Sequence, residues 1–265
     1  MKTLIKSPQQ CEKIRHAGKI LTDLHQELFV RCQPGVALIE LESFAQRFLT
    51  KNNVRGTFKG YKGFPANLCL SLNDCLVHGI PDHTVLKPGD LLKVDVGVTY
   101  ESCIADAAFS VVIGGAQANP RAASLICATK NALDMALPTL VPGSSLFAYG
   151  ETVHREMTDA GFSVIFDLTG HGVGNALHEK PYIHNYGHVS LRSFVIKEGM
   201  VFALEPITAQ RSTAYRDSKP GVYSNGRNLY TEKGDLGCQW EYTVIITQNG
   251  AEVVAGLVDE RWLVH

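Results

Sequence analysis

The two halves of this 265-residue chain resemble each other at three places, always in the same order. The repeated segments are Pro34-Gly35-Val36 and Pro142-Gly143-Ser144, His78-Gly79-Ile80-Pro81 and His178-Glu179-Lys180-Pro181, and Leu86-Lys87-Pro88-Gly89 and Ile196-Lys197-Glu198-Gly199. Each match alone means little, because short turn sequences of this kind are common. Three colinear matches at offsets of 100 to 110 residues, however, predict two similar halves related by a pseudo-twofold axis. Such a fold places Asp95 and Glu205 at equivalent positions, and likewise His78 and His178. A site between the halves would collect all four.

Asp95 and Asp106 are equidistant from a predicted hairpin turn near Tyr100 and Glu101. If the strands pair about that midpoint, the two carboxylates are cross-strand neighbours with Cβ atoms roughly 5 Å apart, where like charges destabilise a sheet. Apolar residues at alternate positions from 92 to 98 predict that Asp95 points away from the packed face and into a cleft. The pair therefore indicates a site for a bound cation.

The periodicity of the apolar residues predicts four helices, with strand-like segments between and after them. The helical patterns cover residues 8–31, 37–52, 120–137 and 145–160. Asn249-Gly250 is a strong hairpin-turn signal that joins strand-like residues 242–247 to 251–254. We therefore expect an α+β fold in which helices cover one side of a curved antiparallel sheet. Residues 211–237, rich in Ser, Gly, Asn and charge, are expected to form a long excursion beside the site.

The composition excludes several classes of protein. A net charge of −1 gives no broad electrostatic footprint for nucleic acid or for an anionic membrane. The amino terminus lacks the apolar run of a secretory signal, and no stretch approaches the length needed to cross a bilayer, so the expected location is the cytoplasm. The seven cysteines form no C-x-x-C pair and lie in apolar contexts, which predicts reduced thiols.

Three further residues carry groups that commonly bind metals. His171 lies among glycines in Gly170-His171-Gly172-Val173-Gly174, which leaves its imidazole accessible. Glu205 and Glu241 are embedded in apolar, strand-like sequence. A surface loop or a strand edge would explain each residue taken singly. Four carboxylates and one imidazole together indicate a centre for hard or borderline divalent ions rather than a thiolate zinc site.

This set of residues resembles the methionine aminopeptidases of the short, type I kind, in the metallopeptidase family with the pita-bread fold. The family pattern has two Asp eleven residues apart, a His in a G-H-G-x-G loop, a Glu before Pro, and a Glu in a Q-aromatic-E segment. The matching positions are Asp95, Asp106, His171, Glu205 and Glu241. The resemblance covers nearly the whole chain and implies a pita-bread fold made of a pseudo-twofold pair of α/β halves. It also implies a single catalytic domain over residues 1–265.

The resemblance implies an enzyme that removes the initiator methionine from chains whose second residue is small. The five matching residues would hold two divalent metal ions, chosen from Co, Mn, Fe and Zn, whose bridging water or hydroxide attacks the scissile carbonyl. Asp95 would chelate one ion, and Asp106 and Glu241 would bridge the two. His171 and Glu205 would complete the coordination of the second ion.

The family's proton-handling and substrate-facing residues also have matches. Glu205 would carry the proton of the water to the leaving amine. His178 would stabilise the carbonyl oxygen, on which charge grows in the transition state, and His78 would contact the peptide nitrogen or leaving group. The wall of the methionine pocket matches Tyr61, Phe64 and Cys69, which are the expected substrate-binding residues together with the two histidines.

Four residues depart from the family pattern. Leu177 stands where phenylalanine is usual, and Arg227 lies near a position often held by tryptophan, so the shape of the pocket is left open. Ala107 follows Asp106 where Ser or Thr is usual, and Tyr242 follows Glu241 where His is common. Neighbours of metal ligands tune metal affinity and activity, often by about 10- to 100-fold.

The expected partners are the amino termini of nascent proteins and peptides close to the ribosome, with no direct binding to nucleic acid or membrane, and the expected state is a monomer. One alternative is a proline-directed peptidase of the same fold, which usually carries a separate amino-terminal domain for which we expect no room here. A second alternative is a paralogue of low or no activity that acts as a binding protein. Such proteins typically lose metal ligands, whereas all five positions are filled in this sequence.

Overall fold

The computed structural model describes residues 4–217 and 228–259. In these ranges the α-helices are α1 (Pro8–Phe29), α2 (Leu38–Lys51), α3 (Pro120–Ala136) and α4 (Leu146–Asp159). The strands are β1 (Arg55–Gly56), β2 (Cys69–Leu72), β3 (Cys75–Val77), β4 (Leu91–Tyr100), β5 (Cys103–Val112), β6 (Ser163–Val164), β7 (Thr169–Gly172), β8 (Glu179–His184), β9 (Val201–Leu204), β10 (Ile207–Ala209), β11 (Tyr215–Asp217), β12 (Leu229–Thr231), β13 (Gly237–Gln239), β14 (Tyr242–Thr247) and β15 (Gly250–Ala255).

The four predicted helices are confirmed, and each begins and ends within two residues of its predicted bounds. Residues that cap helices explain where they begin. Ser7 accepts a hydrogen bond from the backbone of Gln10 in a capping box, and Asn119 and Ser145 cap α3 and α4 with their side chains. Proline at the first position of α1 and of α3 loses no hydrogen bond there.

The helices share one hydrophobic core with one face of the sheet. The stripe of α1 that enters this core repeats at intervals of three and four residues and includes Ala17, Leu21, Leu24 and Leu28. The strand residues that share the helix-covered core include Val94, Val96, Ala107, Phe109, Phe202, Leu204, Tyr242 and Val244. Because side chains alternate along a strand, the intervening residues face the opposite side, where the candidate site lies. The expected arrangement, with helices on one side of an antiparallel sheet, is confirmed.

Two larger sheets and two small ones make up the β structure. In the first, β5 pairs with one edge of β4, and β1 and β2 pair with the other. The second runs in the order β15-β14-β9-β7-β8. The small sheets run β13-β10-β6 and β11-β12-β3. All of these strand pairs are antiparallel, and a backbone hydrogen bond between Ala108 on β5 and Glu241, directly before β14, connects the two larger sheets.

The two halves repeat the same contacts, which confirms the pseudo-twofold relationship. The N–H of Gly35 donates to the carbonyl oxygen of Leu86 at 2.9 Å, and that of Gly143 donates to the carbonyl oxygen of Ile196 at 2.9 Å. The φ angles of Gly35 and Gly143 are 90° and 91°, in the region that favours glycine. The duplicated Pro-Gly pattern therefore forms the same turn twice.

A second set of equivalent contacts extends this relationship to the strands. The N–H of Gly89 donates to the carbonyl oxygen of Ile113 at 2.8 Å, and that of Gly199 donates to the carbonyl oxygen of Ile246 at 2.8 Å. Ile113 and Ile246 are therefore equivalent residues near the ends of β5 and β14.

Counting back along both strands makes Ala108 equivalent to Glu241, and Asp106 equivalent to Gln239. Ala108 and Glu241 also pair with each other in an antiparallel bridge, in which the N–H of Glu241 donates to the carbonyl oxygen of Ala108 at 2.9 Å. The axis therefore passes between these two residues, at the junction of the two larger sheets.

The register of the β4–β5 hairpin differs from the predicted one. The turn lies at Glu101 and Ser102, one residue later than expected, so Asp95 pairs with Ala108 and Asp106 pairs with Gly97. The two carboxylates are diagonal neighbours on one face rather than directly opposite each other. Both turn residues have positive φ, 42° for Glu101 and 65° for Ser102, and neither is the Asn or Gly that usually signals this turn in a sequence.

The second predicted hairpin is also shifted by one residue. Thr247 pairs with Gly250, so the turn consists of Gln248 and Asn249 rather than Asn249 and Gly250. Gly250 instead begins β15 with a φ of 113°. The prediction of two paired strands is confirmed, whereas that of the turn position is wrong.

The expected excursion at residues 211–237 contains more structure than its composition indicated. Strands β11 and β12 pair with each other, and β12 pairs with β3, which ends next to His78. Its base is closed by Asp235, whose carboxylate accepts hydrogen bonds from the backbone of Arg211 and from the backbone and hydroxyl of Ser212. Polar side chains in this stretch therefore fix its base rather than simply face solvent.

Two of the compositional expectations can be compared with the structure. All seven cysteines are free thiols, and six of them are buried, as expected for reduced residues. No helix within the described residues is long and apolar enough to span a membrane.

Candidate metal centre

Five acidic and imidazole side chains from both halves meet on the face of the sheet that the helices leave free. They are Asp95 on β4, Asp106 on β5, His171 on β7, Glu205 directly after β9, and Glu241 directly before β14. All five are buried, with exposed fractions from 1% for Glu241 to 8% for Asp95 and Glu205. The structure thus brings together the five residues that the sequence selected as metal ligands.

The distances within this cluster are those of groups that converge on one point. His171 Nε2 lies 3.3 Å from Glu205 Oε1 and 4.0 Å from Asp106 Oδ2. One ligand atom each from Asp106, His171 and Glu241 lie within 4.8 Å of one another. A divalent ion at such a point could contact several of these atoms at once.

The hydrogen bond of His171 determines which of its nitrogens faces the carboxylates. Its Nδ1 lies 3.0 Å from the carbonyl oxygen of Gly172, which can only accept, so Nδ1 carries the proton. Burial lowers the pKa of His171, which favours the neutral ring. Nε2 therefore presents a lone pair to the cluster, as a metal-ligating imidazole does.

Four buried carboxylates at this spacing need a counter-charge. Burial raises the pKa of Asp95 to about 7. Burial, followed by the charges of neighbouring carboxylates, raises the pKa of Asp106, Glu205 and Glu241 well above their ordinary values. Oδ1 of Asp95, Oδ1 of Asp106 and Oε1 of Glu241 are buried and have no hydrogen-bond partner among the described residues. Unpartnered carboxylate oxygens of this kind fit oxygen-ligated divalent cations, which would supply both the charge and the missing contacts.

Gln239 lies in the same cluster, although sequence reasoning gave it no role. Its Nε2 donates to Glu205 Oε2 at 3.2 Å and to Asp95 Oδ2 at 3.5 Å, so one amide links a carboxylate from each half. Gln239 precedes Glu241 by two residues, the interval at which side chains of an extended chain share a face, and this spacing is the signal that could have identified it.

The hydroxyl of Thr243 fixes the backbone of Asp106. It accepts a hydrogen bond from the N–H of Asp106 at 2.8 Å and donates to the carbonyl oxygen of Asp106 at 2.6 Å. Thr243 is fully buried. A residue from the second half thus positions a carboxylate of the first half.

A cavity of about 430 Å³ opens above the cluster. The predicted pocket residues Tyr61, Phe64 and Cys69 line it together with His78 and His178. Cys69 pairs with Asp95 across β2 and β4, which places the thiol beside the carboxylates. Burial and then the charge of Asp95 raise the pKa of this thiol well above its ordinary value, so it stays protonated and serves as part of an apolar wall.

The two pseudo-equivalent histidines differ in their surroundings. His78 has a φ of 63°, an uncommon conformation for a residue with a side chain. His178 Nδ1 lies 2.9 Å from the Tyr61 hydroxyl. Although His178 is an exposed residue, partial burial of its ring, and then the charges of His171, Lys62 and His78, lower its pKa to about 3, which favours the neutral ring.

Three of the four departures from the family pattern can be placed. Ala107 and Tyr242 lie in the helix-covered core, on the opposite side of their strands from Asp106 and Glu241, so neither contacts the cluster. The Tyr242 hydroxyl instead donates to Asp134 Oδ1 on α3 at 3.1 Å. Leu177 is buried in the wall of the cavity. Arg227 lies outside the described residues.

Comparisons with known proteins agree with this geometry. Residues 12–248 match the model of metallopeptidase family M24. The methionine aminopeptidase of Mycoplasma capricolum subsp. capricolum is 37% identical over 252 residues, which are 94% of this chain and 97% of that protein. The crystal structure of methionine aminopeptidase from Thermotoga maritima has a TM-score of 0.89 and 32% identity, and covers 96% of this chain and 99% of that chain.

Proline-directed enzymes share the fold at a greater distance. The prolidase from Pyrococcus furiosus has a TM-score of 0.74 and 21% identity, and the match covers 96% of this chain but 66% of that one. This likeness extends to the fold alone, whereas the likeness to methionine aminopeptidases extends along nearly the whole of both chains. A metallopeptidase family also implies divalent metal ions, which is the requirement that the buried carboxylates indicate. The chain therefore belongs to metallopeptidase family M24 and, within it, to the methionine aminopeptidases.

Proposed function

We propose that this protein is a metal-dependent aminopeptidase that removes the amino-terminal methionine from peptides and proteins whose second residue is small. The observation that carries the proposal is the buried cluster of four carboxylates and one neutral imidazole at the floor of a cavity with an apolar wall. The relatives named methionine aminopeptidase support the substrate class. The restriction to a small second residue follows from the likeness to that family.

Asp95, Asp106, His171, Glu205 and Glu241 would hold the metal ions. The buried, unpartnered oxygens of Asp95, Asp106 and Glu241 support this assignment. So does the lone pair of His171 Nε2, which faces the carboxylates. Divalent ions bound there would polarise the scissile carbonyl and lower the pKa of a water molecule. Gln239 would hold the carboxylates of Asp95 and Glu205 in position, because its amide donates a hydrogen bond to each.

Three residues would act on the substrate and on protons. The carboxylate of Glu205 would accept a proton from the attacking water and deliver it to the nitrogen of the breaking peptide bond. Nε2–H of His178 would donate a hydrogen bond to the carbonyl oxygen as negative charge develops on it. His78, at the cavity wall, would contact the peptide nitrogen.

The apolar wall would bind the methionine side chain. Tyr61, Phe64 and Cys69 belong to one hydrophobic cluster that also contains Leu177. A thioether chain fits such a wall because it is apolar, unbranched and flexible. The ligands come from both halves, so we infer that the described residues work as one catalytic unit.

Finer properties follow from the same likeness and are part of the proposal. We infer that two metal ions bind, drawn from Co, Mn, Fe and Zn, and that the protein works as a cytoplasmic monomer on nascent chains near the ribosome. Native mass spectrometry would test the number of bound metal ions and the monomeric state together. A mass corresponding to one chain with two metal ions is expected, and a stable dimer or a single ion at saturation would contradict it.

The decisive experiment is hydrolysis of the peptide Met-Ala-Ser by chelator-stripped protein, with Mn²⁺, Co²⁺, Fe²⁺ or Zn²⁺ restored singly under anaerobic conditions. Metal-dependent release of methionine is expected, with Met-Leu-Ser cleaved far more slowly. Equal turnover of the two peptides would refute the restriction on the second residue. If no metal restored activity although ions bound and the fold was intact, the aminopeptidase assignment itself would be wrong.

A further inference from the structure

We propose that Tyr61 is a positioning residue for His178: its hydroxyl donates a hydrogen bond to Nδ1 and so keeps the ring proton on Nε2, where a substrate carbonyl oxygen can accept it. The identity of that acceptor rests on the proposed function, whereas the position of the proton can be measured without substrate. The underlying observation is the 2.9 Å distance between the Tyr61 hydroxyl and His178 Nδ1.

The direction of this hydrogen bond decides what His178 can do. A neutral imidazole has one nitrogen that donates and one that accepts, and a tyrosine hydroxyl can do either. If Tyr61 donates, Nδ1 accepts and Nε2 carries the proton. If Tyr61 accepted instead, Nε2 would present a lone pair, which repels a carbonyl oxygen that gains negative charge.

Lys62 helps to position the ring of Tyr61. Its ammonium nitrogen lies 5.3 Å from the centroid of the Tyr61 ring. A cation near the face of an aromatic ring is attracted to it, so this contact helps to hold the Tyr61 ring beside His178. Lys62 has a φ of 46°, so the chain adopts an uncommon backbone conformation next to Tyr61.

Two neighbouring rings restrict the orientation of the His178 ring. What they leave undetermined is which of its two nitrogens carries the proton. The Tyr61 and His178 rings have centroids 5.4 Å apart, and the His171 and His178 rings have centroids 4.4 Å apart. Contacts with both rings restrict rotation of the imidazole. The tautomer, in contrast, is decided by hydrogen bonds, and Tyr61 supplies the one at Nδ1.

The backbone that carries His178 is fixed separately by Glu179. One oxygen of its carboxylate accepts from the N–H groups of Asn175 and Ala176 at 2.7 and 3.0 Å. The other oxygen pairs with Lys6 at 2.6 Å. Loss of the Tyr61 hydroxyl should therefore change which nitrogen of His178 carries the proton, without displacing the loop that contains His178.

Tyr61→Phe tests the proposal because it keeps the aromatic wall and removes only the hydroxyl. Tyr182→Phe is the matched control, since Tyr182 lines the same cavity with a side chain that is 59% exposed. Ring ¹⁵N NMR of histidine-labelled protein with Zn²⁺ added reads the tautomer directly, and His178→Gln identifies the resonances of His178.

In the wild type we expect a proton on Nε2 and the upfield-shifted resonance of a hydrogen-bonded, unprotonated Nδ1. In Tyr61→Phe the two tautomers should mix, so the averaged Nδ1 and Nε2 resonances should move toward each other, and Tyr182→Phe should leave both signals in place. A proton on Nδ1 in the wild type, or an unchanged spectrum in Tyr61→Phe, would overturn the proposal.

For hydrolysis of Met-Ala-Ser, the proposal predicts a change in kcat but not in KM. We expect Tyr61→Phe to lower kcat about 10-fold, the value of one hydrogen bond made in the transition state, with KM within about twofold of the wild type. A rise in KM at constant kcat would show that the hydroxyl only binds substrate and would contradict the positioning role. If the wild type itself releases no methionine, the proposed function fails, while the NMR result still decides the proton position.

Discussion

Ser110 and Thr243 make the same pair of hydrogen bonds on opposite sides of the pseudo-twofold axis. The Ser110 hydroxyl donates to the carbonyl oxygen of Gln239 at 2.6 Å and accepts from its N–H at 3.2 Å. The Thr243 hydroxyl donates to the carbonyl oxygen of Asp106 at 2.6 Å and accepts from its N–H at 2.8 Å. The two hydroxyls therefore join the halves symmetrically, although Asp106 is a candidate metal ligand and Gln239 is a hydrogen-bond donor to the carboxylates.

These contacts predict that Thr243→Val and Ser110→Ala lose similar amounts of stability but differ in their effect on metal binding. Thr243→Val and Ser110→Ala each leave a buried backbone N–H and carbonyl without a partner, which should lower the free energy of unfolding by about 1–3 kcal/mol. Thr243→Val acts on the backbone of the candidate ligand Asp106 itself, so it should weaken metal binding by about 10- to 100-fold. Ser110→Ala acts on the ligands only through Gln239, so its effect on metal binding should be smaller. Denaturant titration and calorimetric metal titration measure the two quantities. Equal metal affinities in the two variants would contradict the role assigned to Thr243.

Asp106→Asn should abolish metal binding while preserving the fold. The amide removes a negative charge from the buried cluster and cannot supply a second carboxylate oxygen to a cation. We expect the rate of methionine release to fall about 1,000-fold, the equivalent of several kcal/mol of lost transition-state stabilisation. The metal-induced rise in Tm should disappear, and circular dichroism should be unchanged. Asp167→Asn is the control, because Asp167 is an exposed carboxylate on the same cavity; metal affinity that survives in Asp106→Asn would refute the assignment.

Breaking the ion pair between Lys6 and Glu179 should loosen the loop that carries Leu177 and His178. Lys6 is buried, and Lys6→Met leaves the carboxylate of Glu179 without this counter-charge. Removing one partner of a buried pair costs about 3–5 kcal/mol of stability. Hydrogen exchange at residues 173–178 should accelerate, and KM should rise.

The matched control is Lys19→Met, which removes the exposed pair between Lys19 and Asp23. Exposed pairs of this kind contribute about 0.3–0.5 kcal/mol, so stability and exchange should hardly change. If exchange at residues 173–178 stayed at the wild-type rate in Lys6→Met, the loop would be held by its other contacts.

His25 should make the protein less stable as the pH falls. It is fully buried against the edge of Phe109 without a hydrogen-bond partner among the described residues, and burial lowers its pKa from 6.5 to about 3. Below pH 6.5 the unfolded chain therefore binds a proton that the folded protein does not, until the pH approaches 3. In this range His25 should lower the free energy of unfolding by about 1.4 kcal/mol per pH unit.

The comparison with His25→Leu isolates this contribution. The substitution keeps an apolar group in the core and removes the titrating ring, so its curve of unfolding free energy against pH should be shallower between pH 6.5 and 4. The absolute stability can change in either direction because the packing against Phe109 changes. Parallel curves for the two proteins would show that His25 does not titrate on unfolding.

Local sequence patterns predicted the helices well because their signals are short-range. Ser7-Pro8, Asn119-Pro120 and the apolar stripe of α1 specify where helices begin and which face is buried, with no reference to the rest of the chain. The hairpin turns were misplaced by one residue. At Glu101 and Ser102 the positive φ angles are imposed by the pairing of two long strands rather than by residues that prefer them.

The sequence by itself determined the set of candidate ligands and the duplication, because both consist of residue types at characteristic spacings. Only the tertiary structure decided how the halves meet. The bridge between Ala108 and Glu241, the amide of Gln239 between two carboxylates, and the pairing of Lys6 with Glu179 all join residues more than 30 positions apart. Such contacts leave no periodic trace in a single sequence, since each partner alone is an ordinary polar or apolar residue. It is the packing of the two halves around one axis that gives these residues their place in the site.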